Sequence, residues 1–98
     1  MYMKIHESGN NRIIAVCDSE LLNEYLKEGE IVLNIKRYSG FYKGERVGPK
    51  DVEKVLGEYS SLNLVEEKAV NCALKKGIIT KEQIITISGK PHVQVYHL

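Results

Sequence analysis

The chain has 98 residues, 43% of them apolar and 28% charged, with a formal net charge of +1. That length gives one domain, and that composition excludes a disordered tail. No apolar run approaches the roughly 18 residues of a membrane span, and the start, MYMKIHESGNN, lacks the apolar region of a signal peptide. A cytoplasmic protein is expected, in which Cys17 and Cys72 stay separate thiols.

YMKIHES (2–8) and RIIAVCD (12–18) alternate as β-strands do and are joined around Gly9-Asn10, so they predict a hairpin. With Glu7 opposite Arg12, Met3, Ile5, Ile14 and Val16 share one face. The other face, with Tyr2, Lys4, His6, Ile13, Ala15 and Cys17, is half apolar and is expected to be partly covered. Residues 18–29 predict a helix, capped by Asp18 or Ser19, with Leu21, Leu22, Tyr25 and Leu26 as its apolar stripe and Gly29 as its end.

A strand is expected over 30–38. The path of residues 39–48 stays open, because Ser39-Gly40 and Lys43-Gly44 are both good turns. Pro49 suits the first turn of a helix carrying Val52, Val55, Leu56 and Tyr59 at helical spacing. Asn63, with Glu66 three residues on, predicts the cap of another helix reaching Gly77. Thr80 and Gln83 repeat that signature for a short turn. Strands at 84–88 and 92–98 flank Gly89-Lys90-Pro91. The order predicts a single α+β domain over 1–98, with a mixed or antiparallel sheet and three to four helices.

Charge is unevenly placed. Residues 35–50 hold five of the 14 basic residues and one of the 13 acidic ones, a local charge of +4 against −3 for the remainder. In that stretch, IKRYSGFYKGERVGPK, cations and aromatic rings alternate. Single-stranded RNA is held by cations on phosphates and rings under bases. Lys36, Arg37, Tyr38, Tyr42, Lys43 and Arg46 are therefore the candidate nucleic-acid-binding residues. The competing reading is a sheet rim protected by charge. His92 and Gln94 share a face with Tyr96 and form a second candidate, a polar ligand patch; the bland alternative is an edge strand stiffened at its entry by Pro91.

Other chemistries find less support. No C-x-x-C or H-x-x-x-H spacing is present, and in the proposed hairpin Cys17 lies about 13 Å from His6, too far to share an ion. No phosphate-binding glycine loop occurs. Cys17, just before a helix, is a conceivable nucleophile, but no base is placed for it. The sequence calls for no metal, no cofactor and no catalytic residue.

Taken together, KIHESG, AVCDSELL, FYKGE, NLVEEKAV and PHVQ resemble, in this order, an archaeal family of small proteins known as domain of unknown function 424. A pattern like C-D-x-E-L-L is matched by Cys17, Asp18, Glu20, Leu21 and Leu22. One like N-L-V is matched by Asn63, Leu64 and Val65, and one like P-H-x-Q by Pro91, His92 and Gln94. Lys43 and Glu66 stand where the family pattern favours glycine. The resemblance implies an archaeal cytosolic protein linked to translation or RNA, and it assigns no catalytic residue. The expected function is a small binding module for RNA or an RNA–protein assembly. An enzyme using Cys17 or His92, and a protein-interaction module, are the alternatives.

Overall fold

The computed structural model describes residues 1–57 and 59–96. Its centre is a mixed six-stranded sheet in which Glu45–Arg46 (β5), Tyr2–Ser8 (β1), Asn11–Cys17 (β2), Ser61–Val65 (β6), Lys90–Tyr96 (β8) and Ile85–Ile87 (β7) lie side by side in that order. Strands β1 (Tyr2–Ser8) and β2 (Asn11–Cys17) form the expected hairpin, with Glu7 opposite Arg12 and Tyr2 opposite Cys17. Gly9, at φ +59°, takes the left-handed turn conformation that a side chain resists.

Residues 18–29 depart from the predicted helix. A single 3₁₀ turn at Ser19–Leu21 is followed by β3 (Tyr25–Glu28), which pairs with β4 (Ile31–Asn34) across Gly29-Glu30. Leu21, Leu22 and Leu26 are buried, as a helix would also have required. Leu22 and Leu26, four apart, fit both periods, whereas Tyr25 of the predicted stripe is exposed, and pairing with β4 decides in favour of the strand. The predicted strand over 30–38 is shortened to β4 for the same reason.

The open segment 39–48 resolves into one helical turn, α1 (Ser39–Tyr42), and a two-residue strand, β5 (Glu45–Arg46), on the edge of β1. Helix α2 (Pro49–Val55) starts on Pro49 as expected, with the Asp51 carboxylate accepting from Gly48 N–H at 3.0 Å. It stops before the Tyr59 of the predicted stripe; Glu58 lies outside the described residues.

Asn63 does not cap a helix. Residues Ser61–Val65 form β6, parallel to β2, and α3 (Glu67–Lys75) begins after it. The alternation settles the matter: Leu62 and Leu64 face one side of the sheet, Asn63 and Val65 the other. The turn to α3 is made at Glu66, at φ 79° and ψ 166°. This region belongs almost wholly to glycine.

The last sheet hairpin joins β7 (Ile85–Ile87) to β8 (Lys90–Tyr96) through Ser88-Gly89, both at positive φ, rather than through Gly89-Lys90-Pro91. Beneath it, Thr80 N–H donates to Gln83 Oε1 at 2.8 Å, as the spacing predicted. The two final residues of the predicted strand 92–98 lie outside the described residues. β8 runs between β6 and β7, so it is not an edge strand.

One sheet face packs Ile14, Val16, Leu62, Leu64 and Val93 against Val52 and Leu56 of α2 and Ala69, Val70 and Ala73 of α3. The opposite face packs Ala15, Cys17, Val65 and Ile87 against Leu21, Leu22, Leu26, Ile35 and Tyr42 from segment 18–42. The half-apolar second face is thus partly covered, as expected. The architecture is α+β: one mixed sheet with helices on one side and an irregular layer, the β3-β4 hairpin and α1, on the other.

Asp18 ties the layers together. Its buried carboxylate accepts from Lys68 N–H at 3.3 Å and Ala69 N–H at 3.0 Å, the unpaired donors of the first turn of α3. A residue with cap chemistry caps a helix fifty positions away instead of its own segment.

Candidate functional site

On the second sheet face, β1 presents Lys4 and His6 to α1. Lys4 Nζ donates to Gly40 O at 2.8 Å, and His6 Nε2 donates to Phe41 O at 2.9 Å, which fixes the proton on that nitrogen. The His6 ring also stacks on Phe41, with centroids 4.6 Å apart. These side chains clamp a helix of one turn that hydrogen bonding alone would not sustain.

The clamp leaves a recess of about 250 Å³ between α1, β4 and the sheet, lined by Leu33, Asn34, Tyr38, Phe41, Tyr42, Asn63 and Gln94. Its floor is the directly paired Asn63 and Gln94 of β6 and β8. The Tyr42 hydroxyl donates to Asn63 Oδ1 at 2.5 Å. Tyr42 is buried, and burial raises its phenol pKa well above the ordinary value, so it stays protonated as the donor. Tyr38 is 57% exposed at the rim, with the Arg37 guanidinium 5.7 Å from its ring centroid. Arg46 lies similarly over Tyr2, 5.7 Å from that centroid and on the same sheet face.

The candidate residues therefore divide. Tyr38 and Tyr42 meet Gln94 in the recess, joining two stretches read separately in the sequence. Lys36, Arg37, Lys43 and Arg46 are all exposed along the segment that builds its wall. Tyr42 contributes a wall and a hydroxyl rather than a free ring; the exposed ring at the recess is that of Tyr38. His92 leaves the polar patch altogether. It is buried, its Nδ1–H donates to Leu64 O at 2.9 Å, and burial lowers its pKa, which favours the neutral ring.

Asn34 and Asn63 carry no site signal in the sequence: Asn63 has the spacing of a helix cap, and only a period-two reading of Ser61–Val65 places it on the face of Gln94.

Cys17 is buried, its thiol donates to Asp18 O at 3.2 Å, and its pKa is pushed up to about 12, first by burial and then by the nearby Asp18 carboxylate. His92 stands two strands away across Val65, roughly 10 Å at ordinary strand spacing. Among the described residues, no group of three or more His, Cys, Asp or Glu is placed to hold a metal ion, and no helix is long and apolar enough to cross a membrane.

A mixed sheet carrying a clamped aromatic turn over an amide floor defines a small α+β protein with a recessed polar face. The family model described as protein of unknown function (DUF424) matches residues 6–98, and the chain belongs to that family. A crystal structure of an uncharacterized conserved protein from the archaeon Methanopyrus kandleri is similar to it, at 29% identity and a TM-score of 0.78, over 97% of this chain and 89% of that one. No curated protein matches the chain.

Proposed function

We propose that the chain is a cytoplasmic binding module for single-stranded RNA, acting on free RNA or on an RNA–protein assembly of translation. The recess supports this reading. Asn34, Asn63 and Gln94 bring three amides to a cavity rimmed by an exposed tyrosine beside an arginine; their oxygens already accept from Arg37 N–H and from the Tyr42 and Tyr96 hydroxyls, which turns their NH2 groups toward the role of donors. Base edges are recognised by paired donors and acceptors, and base faces by aromatic rings or guanidinium planes. The local charge of +4 over residues 35–50 supplies the phosphate partners.

A salt series with mixed-sequence single-stranded RNA tests the proposal. Three to five engaged cations give a slope of log affinity against log salt of roughly −2 to −3.5. Replacing Lys36, Arg37 and Lys43 by alanine flattens it by about 2. Tyr38→Ala lowers affinity with little change in slope, because stacking releases few ions. An unchanged slope in the triple variant refutes this surface.

A second reading has one observation behind it. Among the described residues, β5 pairs with only Tyr2 and Met3 of β1, leaving the outer edge from Lys4 to Ser8 for a partner's strand. An RNA-independent protein complex abolished by proline at Ile5 would favour it.

A further inference from the structure

The recess under α1 takes up only part of the uncovered sheet face. Two residues along β6 and β8, Ser61 and Tyr96 occupy the places of Asn63 and Gln94, and Ile13 of β2 lies beside Ser61. Side chains alternate along a strand, so all of these share one face. Here a second recess opens, about 370 Å³, lined by Ile13, Ser61 and Tyr96 with Ser8, Asn11 and Ser60 at its rim. Tyr96 is 67% exposed, and its hydroxyl lies 3.5 Å from Gln94 Oε1, so its ring stands at the boundary of the two recesses.

We infer that the two recesses are consecutive base subsites for one single strand of RNA, with Tyr96 as the stacking platform of the second. The inference rests on the RNA reading of the first recess and adds a site, a residue and a direction to it.

Three observations carry it. The first is spacing. Two residues along a strand cover about 6.6 Å, the reach of one backbone step in an extended, unstacked polynucleotide. The second is geometry. An open sheet face with an exposed ring is the platform on which successive bases lie flat in sheet-based RNA modules. The third is the division of charge. None of the six residues lining the second recess is charged, whereas Arg37 lies over Tyr38 at the rim of the first and Lys36, Lys43 and Arg46 are exposed on the segment that walls it. Phosphates of a strand entering at Tyr38 therefore meet cations beside the first recess, and the next nucleotide is held over Tyr96 through its base. Ser61, Ser60 and Asn11 then offer hydroxyls and an amide to the edge of the second base.

The test is a titration of the ¹⁵N-labelled full chain with uridylate of one, two and three nucleotides, followed by two-dimensional NMR. The dinucleotide is expected to bind roughly tenfold more tightly than the mononucleotide, the scale of one stacked base. Amide shifts at Ile13 and Ser61 should appear only with the second nucleotide. Tyr96→Ala should reduce dinucleotide affinity to that of the mononucleotide and leave the mononucleotide unaffected; Tyr96→Phe should bind as the native chain does. Affinity independent of length, or equal weakening of both ligands by Tyr96→Ala, overturns the second subsite while leaving the first intact. Failure of every length to bind, or a salt slope indifferent to the triple alanine variant, overturns the RNA reading and this inference with it.

Discussion

Asp18 offers the sharpest test of how the two layers are joined. Its carboxylate is 1% exposed and accepts from two backbone N–H groups at the start of α3. Alanine there leaves both donors without their partner. Each such loss costs about 1–3 kcal/mol, and the neighbouring Glu66 carboxylate is already bonded to Glu67 N–H. Relief of the buried charge offsets part of this, so Asp18→Ala should destabilise by about 2–4 kcal/mol. For a domain of this size that is a fall in Tm of about 8 °C or more. Asn retains one acceptor and loses less. The pH dependence follows from burial, which outweighs the two N–H bonds and raises the Asp18 pKa above its ordinary value. A carboxyl raised in the fold contributes stability that is fully present below its unfolded pKa of about 3.9 and is lost as pH rises through the folded value. The cost of Asp18→Asn is therefore largest in acid and shrinks from about pH 4 upward. Urea unfolding of both variants from pH 3 to 7 measures this. An Asn cost that grows with pH would show that the N–H bonds dominate, and an Ala variant as stable as the native chain would refute the capping role itself.

Two further outcomes follow from the backbone. A Cβ at Gly44 would lie 2.2 Å from Met3 O and 3.0 Å from Lys4 Cα, so Gly44→Ala should displace β5 and cost about 1–3 kcal/mol, with amide shifts spreading to Met3 and Lys4. At Glu66, alanine keeps the strained φ and discards the bond to Glu67 N–H and the 3.2 Å ion pair with Lys90, whereas glycine discards the same contacts and relieves the strain. The glycine variant should exceed the alanine variant by about 1–3 kcal/mol in chemical denaturation; equal stabilities would refute strain at this residue.

The hairpin 2–17 was legible because turn chemistry, alternation and the Glu7–Arg12 pairing agree at every position. Helix α2 was legible because proline, an acidic third residue and an apolar stripe coincide. Segment 18–29 was not, since Leu22 and Leu26, four apart, satisfy either period, and the deciding partner of Asp18 is the backbone of Lys68 and Ala69. Asn63 failed in the same way. It has cap chemistry and an acid three residues on, but parallel pairing with β2 and antiparallel pairing with β8 hold it in a strand. Local signals lost where a distant element supplied the partner.

The site shows the same logic from the other side. Cations and rings could be recognised along residues 36–46 because they are contiguous, and Gln94 because it alternates with Val93 and Val95. Their junction could not, because it depends on Asn63 lying opposite Gln94 and on Lys4 and His6 holding α1 above both. A one-turn helix has too few internal bonds to persist alone. Its place over the amide floor is therefore set by two side chains of β1, a strand with no lining residue in the recess. Shape at this site is imposed by the sheet hairpin, whereas the side chains lining it come mainly from α1, β4, β6 and β8. A substitution at Lys4 or His6 acts on the recess through α1, and one at Asn63 or Gln94 acts on whatever the recess holds.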